Sequence, residues 1–268
     1  MSFYKKNPGD ANATIDTESR LALGLVPGSV VVNKFGRNVD VDTGTVPEDL
    51  FYHATGATTY AGFPSTGSAE QLEVFSGSVN DTSAGSGART VTVFGLDSNY
   101  NMISETITLN GTTSVFSTQS FIRAHTAYVA TSGGTVANSN TNAGDITIRM
   151  RTTTTVVFLI IPTGYNQTNN AGYTIPAGYT GILKRIHGGI RSNLASVVEV
   201  ALWVRQYGKA PRLRRPTTMT NTGELDDTMW GGIVFPEKTD LHIRITSAST
   251  SNLEVVGGYD LLIVPTPG

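Results

Sequence analysis

Hydrophobic and polar residues alternate with a period of two over much of residues 51–264, and this pattern is typical of half-buried β-strands. Arg89–Leu96 (RTVTVFGL) places Val91 and Val93 on one face and threonines on the other, and Ile103–Leu109 (ISETITL) repeats the alternation. Ser98–Asn101 is a predicted turn, so these two segments form a predicted hairpin, and Asn110-Gly111, a strong hairpin dipeptide, follows the second segment. Neither heptads nor a sustained helical period is present, so the sequence predicts an all-β protein.

The predicted strands group into two consecutive β-sandwich units with jelly-roll-like connections, preceded by an extended N-terminal arm. Residues 1–50 are rich in turn formers and are assigned to the arm, within which Ser29–Lys34 predicts a strand that adds to a neighbouring subunit. Residues 51–151 and 152–268 each contain about six strands, the density expected of a sandwich. The boundary between the units is placed at the threonine run 152–155.

The composition narrows the functional classes. The chain has 268 residues, 39% of them hydrophobic and 15% charged, and no cysteine, which excludes disulfides, thiol nucleophiles and cysteine-ligated metals. The longest apolar run, Val156–Ile161, is far shorter than the roughly 20 residues that span a bilayer, and the N-terminus lacks a signal-peptide pattern. We therefore expect a soluble protein without a membrane partner.

Charge is unevenly distributed along the chain. Residues 1–150 carry 8 basic and 13 acidic side chains, whereas residues 151–268 carry 11 basic and 8 acidic ones. The basic excess is concentrated between residues 205 and 215, close to Trp203 and Tyr207, and such a cluster grips phosphates in some proteins. The sequence pI of about 6.1 is far below the value of about 9 typical of nucleic-acid-binding domains. An exposed loop at residues 211–216 (PRLRRP) that forms ion pairs with an acidic neighbouring subunit is therefore favoured, and no nucleic-acid partner is expected.

Candidate catalytic and metal motifs are weak. The four histidines are isolated in sequence, without the short spacings of metal-binding pairs. Glu224, Asp226 and Asp227 lie next to Trp230 and offer carboxylates for glycoside hydrolysis, but a polar loop explains them equally well. No phosphate-binding loop, dinucleotide fingerprint or nucleophile elbow occurs. The prediction is a protein with no catalytic residues and no cofactor.

A calcium site is considered at Asp40–Gly44 (DVDTG), which has the alternate oxygen ligands that begin a calcium loop. The later ligand positions fail, because Leu50 and Phe51 stand where the last oxygen donors belong. An aspartate-rich turn is the favoured interpretation, and no metal is expected.

Six segments stand in a characteristic order along the chain: VNKFGRNVDVDTGTVPEDLF (32–51), QLEVFSGSVNDTSAGSGARTVTVFGLDSNYNMISETITLNGTT (71–113), FIRAH (121–125), NAGDITIR (142–149), YTIPAGYTG (173–181) and FPEKTDLHIRIT (235–246). In these segments the chain resembles a family of tailed-bacteriophage virion structural proteins, abundant in viruses of marine and freshwater bacteria. The resemblance covers most of residues 32–264.

The resemblance implies a non-enzymatic particle component, and a compact β module with an arm suits a decoration or cement protein that stabilises the outer head shell. The expected partners are the major capsid protein or other virion proteins, together with further copies of the chain in a homotrimer. The expected location is the capsid or head surface, after assembly in the host cytoplasm. The alternative is a neck, tail or receptor-binding component that contacts host glycans. The candidate partner-binding residues lie in the arm and in the basic cluster: Val32, Lys34, Phe35, Arg37, Arg212, Arg214 and Arg215.

Overall fold

The fold was determined as a computed structural model, which describes residues 20–21, 23–53, 60–64, 68–134, 140–192 and 195–266. The all-β prediction is confirmed, since the regular elements of the described residues are sixteen β-strands. Residues 1–19, the first part of the predicted arm, lie outside the described residues. In chain order the strands are β1 (Val30–Val41), β2 (Glu48–Asp49), β3 (Glu70–Ser76), β4 (Ala88–Leu96), β5 (Met102–Thr108), β6 (Val115–Phe121), β7 (Arg123–Ser132), β8 (Ile146–Met150), β9 (Val157–Ile161), β10 (Tyr173–Thr174), β11 (Tyr179–Arg191), β12 (Val197–Arg205), β13 (Arg212–Thr220), β14 (Leu225–Phe235), β15 (Asp240–Ala248) and β16 (Leu253–Pro265).

The strands β3 to β9 form one sandwich. Its two sheets have the orders β6-β3-β8-β9 and β5-β4-β7. The alternation seen in the sequence places one set of side chains between the sheets, and this core includes Leu72, Val91, Val93, Phe121 and Ile148. The predicted hairpin is confirmed, because β4 and β5 pair across the turn from Thr90 with Thr108 to Leu96 with Met102.

The remaining strands form a second sandwich. One sheet has the order β1-β16-β11-β14, and the other has the order β10-β15-β12-β13 with β2 also paired to β15. Its core contains residues from both ends of the chain, including Val41, Leu50, Leu183, Phe235 and Tyr259. Both β2 and β10 pair with β15, so together they occupy one strand position of the sandwich. When the eight positions are numbered in chain order, one sheet has the order 1-8-3-6 and the other has the order 2-7-4-5.

The two units do not simply follow each other along the chain, because the first is inserted into the second. Both β2 and β10 pair with β15, and the backbone N–H of Ala171 donates to the Leu50 carbonyl at 3.2 Å. Phe51 forms a bridge with Asn170, so the chain leaves and re-enters the second sandwich at the same place. We call residues 52–169 the inserted unit, and residues 30–51 together with 170–266 the split unit.

Two predicted boundaries are therefore corrected. Residues 30–41, assigned to a free arm, form β1 and pair with β16 of the same chain from Val30 with Ile263 onward. The strand β9, placed beyond the boundary at residues 152–155, pairs with β8 and belongs to the inserted unit. The reason is physical: a strand's partner is set by long-range burial, and β1 meets a partner more than 200 residues away.

The charge balance of the two units differs from that of the two halves of the sequence. The inserted unit carries 4 basic and 6 acidic side chains, and the split unit carries 12 of each. The acidic half and basic half of the sequence are therefore not separate bodies, and charge asymmetry gives no reason for one unit to face the other in a neighbouring copy. In the described part of the chain, no helix is long and apolar enough to cross a membrane.

Candidate interaction surfaces

The seven predicted contact residues lie on two separate edges of the split unit. Val32, Lys34, Phe35 and Arg37 belong to β1, the edge strand of one sheet. The arginines at 212, 214 and 215 belong to β13, the edge strand of the other sheet. Asn38 of β1 contacts Glu48 of β2, and Arg215 of β13 contacts Asp227 of β14, so β1 and β13 lie at opposite sides of the sandwich. These residues therefore form two surfaces rather than one.

Val32 and Lys34 point inward and are used within the chain. Val32 packs against the core of the split unit. The Lys34 side chain is buried, and its Nζ donates to the His125 carbonyl at 2.6 Å and to the Thr126 hydroxyl at 3.1 Å. Burial lowers the pKa of the Lys34 ammonium to about 7. Lys34 thus joins the split unit to β7 of the inserted unit and is closed to an outside partner.

Phe35 and Arg37 point outward from β1. Arg37 Nε forms an ion pair with Glu254 at 3.0 Å, and its guanidinium also contacts the Tyr165 hydroxyl. Both residues line a groove of about 530 Å³ on the outer face of the four-stranded sheet. Arg185 and Asp226, 2.7 Å apart, extend this ionic lining. The groove is a polar face whose cations already have carboxylate partners.

The basic cluster at residues 212–215 is a strand rather than the predicted loop. Arg212 and Arg214 are exposed, and within the described residues neither forms an ion pair. Arg215 has a left-handed backbone with φ 52°, and its Nη2 lies 2.6 Å from Asp227 Oδ2. The acidic partner predicted in a neighbouring subunit is, for Arg215, a residue of the same chain. Arg212 and Arg214 remain available to an outside partner.

A buried ionic group, which was not predicted from the sequence, holds the two units together. Asp240 in β15 accepts hydrogen bonds from Arg123 in β7 at 3.0 and 3.2 Å. The same carboxylate accepts from Arg205 at 2.5 and 3.0 Å and from the Thr174 hydroxyl at 2.6 Å. Arg123 and Asp240 are each 2% exposed. The signal in the sequence was an arginine between two apolar residues, Ile122 and Ala124, but its partner lies 117 positions away.

His125 adds a second polar contact at this junction. Its Nε2 accepts a hydrogen bond from the backbone N–H of Thr174 at 3.2 Å, and its ring lies 4.5 Å from that of Tyr173. An acceptor nitrogen carries no proton, so this geometry requires a neutral ring. Burial, followed by the charges of Lys34 and Arg123, holds the pKa of His125 well below its ordinary value.

An apolar cleft of about 340 Å³ opens between β1 and the outer face of β5-β4-β7. Four large apolar side chains in its lining are between 40% and 52% exposed: Val31, Phe94, Met102 and Tyr128. The rings of Phe94 and Tyr128 lie 5.7 Å apart, so the patch is continuous across two strands. We call this surface the apolar cleft. Such contiguous exposed patches mark protein interaction sites.

Among the residues considered for catalysis and metal binding, three aspartates have contacts within the chain. Asp226 pairs with Arg185 and Asp227 pairs with Arg215, while Trp230 is fully exposed on the edge strand β14. Asp42 accepts a hydrogen bond from the backbone N–H of Asn252 at 3.0 Å. In the part of the chain that the structure describes, no group of three or more histidine or acidic side chains is arranged to hold a metal ion.

Comparison with known proteins provides little information about this chain. No protein-family profile matches the chain, and no curated protein matches it. Two solved structures of infectious bursal disease virus show some similarity. That of the Gt strain has 9% sequence identity over 94% of this chain and 78% of its own, with a TM-score of 0.25. That of the Gx strain has 8% identity over 90% and 73%, also with a TM-score of 0.25. Scores this low support no argument about fold or function.

Proposed function

We propose that this chain is a non-enzymatic structural protein of a virus particle, of the tailed-bacteriophage type, that decorates and stabilises the outer head shell. The observation that carries the proposal is the apolar cleft beside β1. Four exposed apolar side chains there are available to a protein partner, and of the described strands only β16 pairs with β1. An open strand edge next to an apolar patch suits a partner that adds a strand and buries side chains in the cleft.

Two further features support a particle component. The strand order of the split unit is that of an eight-stranded double Greek key, the jelly-roll arrangement that recurs in viral capsid and lectin domains. Fold alone does not fix function. The sequence segments that resemble phage virion proteins include residues 32–41 of β1, so the resemblance covers part of one wall of the apolar cleft.

We expect the protein to act by binding the assembled shell and shifting the assembly equilibrium toward it. A protein that binds only the assembled shell stabilises it in proportion to its occupancy. The neighbouring molecules are the major capsid protein or other virion proteins and further copies of this chain, with a trimer as the proposed state. Arg212 and Arg214, which have no ion-pair partner among the described residues, supply a second contact on the opposite edge.

Co-sedimentation with heads of the encoding virus that lack this protein tests the proposal. Val31→Glu and Met102→Glu each place a charge in the apolar cleft, and Val79→Glu is the matched control because Val79 is 70% exposed in the turn after β3, outside the apolar cleft and away from β13. Saturable binding to many sites per head is expected, weakened at least about tenfold by the two cleft variants and little by the control. Absence of binding, or equal loss in all three variants, would contradict the proposal.

A further inference from the structure

A second cleft, of about 380 Å³, lies at the junction of the two units and is basic rather than apolar. The inserted unit contributes Pro64, Tyr100 and Arg123. The split unit contributes residues 205–209, Lys238 and Asp240. We call it the junction cleft. Its volume lies in the range of small-ligand sites, which occur preferentially between domains.

The lining of the junction cleft has an unbalanced charge. Four cationic side chains meet one carboxylate, Asp240, which is already occupied by Arg123 and Arg205. Arg205 uses Nε and Nη2 in these contacts, and within the described residues its Nη1 has no hydrogen-bond partner. No ion pair is formed by Lys209 or Lys238 within the same residues. The polar groove on the outer sheet face differs, since its arginines face carboxylates.

The backbone of the junction cleft is strained at two residues that face each other. Tyr100 has φ 66° and Lys238 has φ 58°, a left-handed region that bulky side chains rarely adopt. The Tyr100 carbonyl accepts a hydrogen bond from the backbone N–H of Ala177 at 2.9 Å, and the backbone N–H of Lys238 donates to the Ile175 carbonyl at 2.7 Å. These bonds to the segment 175–177 hold both backbone conformations in place. Strain of this kind concentrates at ligand clamps.

In this conformation, the Lys238 ammonium lies near the aromatic rings of Tyr100 and Tyr207. Lys238 Nζ lies 5.6 Å from the ring centroid of Tyr100 and 5.4 Å from that of Tyr207. The two rings meet edge to face at 5.8 Å. Tyr100 is buried and Tyr207 is 65% exposed, so the outer ring remains available for packing. The cleft therefore combines fixed cations with an accessible aromatic surface.

We propose that the junction cleft binds an acidic saccharide, with its acid group held by Lys238, Lys209 and Arg205 and its sugar ring packed on Tyr207. Cationic donors give short charge-assisted hydrogen bonds to a carboxylate. The negative face of an aromatic ring attracts the polarised C–H groups on one face of a pyranose. This inference is independent of the role in the particle, and it uses neither Trp230 nor the apolar cleft.

Calorimetric titration of the purified full chain tests the inference. The probes are oligogalacturonate, oligomannuronate and a sialylated trisaccharide, with a neutral maltooligosaccharide and inorganic phosphate as comparison ligands. At least one acidic saccharide is expected to bind with a dissociation constant of about 1 mM or tighter, more tightly than phosphate, and more weakly as salt increases. The neutral sugar is expected not to bind.

Variants locate the binding. Lys238→Gln and Tyr207→Ala are each expected to weaken binding about tenfold, whereas Arg212→Gln, which removes one positive charge outside the cleft, should change it less than about twofold. Tyr207 is largely exposed, so its variant tests the site even if Lys238→Gln fails to fold. Three outcomes overturn the inference: no acidic saccharide binds, phosphate binds as tightly as the saccharides, or Arg212→Gln weakens binding as much as Tyr207→Ala.

Discussion

Arg123 and Asp240 connect the two β units through a bidentate contact, with nitrogen–oxygen distances of 3.0 and 3.2 Å between two side chains that are almost fully buried. Arg123 lies at the start of β7 in the inserted unit, and Asp240 at the start of β15 in the split unit. Arg205 donates to the same carboxylate. Without these contacts, the Asp240 carboxylate and the Arg123 guanidinium would be buried without a partner. The contact fixes how the inserted unit sits on the split unit.

Removing one side of this contact is expected to destabilise the fold strongly. Arg123→Ala leaves Asp240 with one arginine and empties a buried site, and the expected loss in the free energy of unfolding is about 3–5 kcal/mol. Arg185→Ala breaks an exposed ion pair with Asp226 and serves as the control, since solvent screens that pair. Urea unfolding of both variants measures the difference. Equal effects would show that the buried contact does not hold the units together.

Alternation alone was enough to predict the fold class and several strands. The predicted segment Arg89–Leu96 matches β4, and the hairpin of β4 and β5 matches its predicted turn, because these features depend on neighbouring residues. The insertion could not be predicted in this way. The insertion depends on the contact between Leu50 and Ala171, and a pattern of neighbouring residues does not predict a contact between residues 121 positions apart.

The candidate surfaces were predicted less well than the fold. The exposed residues Phe35, Arg212 and Arg214 lie on outer edges, as residues open to a partner must. Lys34 is buried, because its place on β1 turns it toward β7, a strand whose proximity depends on the insertion. The junction cleft joins residues from both units and became visible only in the folded chain.

Lys34 makes stability depend on pH above neutrality. Its folded pKa is about 7 and its unfolded value about 10.5, so between these limits the unfolded state binds more protons. The free energy of unfolding should rise with pH from about 7 to 9.5, by at most about 1.4 kcal/mol per pH unit. Lys34→Met should flatten this slope. A wild-type profile that is flat over the window would contradict the burial of an ammonium at this site.

His125 makes stability depend on pH on the acid side. Its folded pKa is lowered, and the unfolded ring takes up a proton near pH 6.5, so stability should fall as the pH drops from 6.5 to 5. Burial lowers the pKa of His242 as well, and both histidines contribute. His125→Gln should reduce the slope without removing it. Thermal melting at intervals of half a pH unit checks this, and an unchanged slope in the variant would refute it.

Asp81 is expected to be a structural carboxylate of the inserted unit. It is fully buried, and it accepts hydrogen bonds from Ser76 Oγ and from the backbone N–H groups of Ala88, Ala143 and Gly144 at 2.5–3.0 Å. Asp81→Ala leaves these donors unpaired and should lower the free energy of unfolding by roughly 3 kcal/mol or more.

Asp97→Ala is the control for Asp81, because Asp97 accepts similar backbone hydrogen bonds in the turn between β4 and β5, where water replaces them. Its expected cost is about 1 kcal/mol. Guanidinium unfolding followed by circular dichroism gives both values. If Asp81→Ala cost no more than Asp97→Ala, the loops around Asp81 would be held by other contacts.

Electron cryomicroscopy of intact virions of the encoding virus, with the copy number of this chain measured on the same particles, tests the proposed function most directly. The proposal predicts hundreds of copies spread over the outer head surface, with the apolar cleft against a neighbouring subunit. About six to twelve copies at a single vertex, or no copies in the particle, would contradict a head-decoration role.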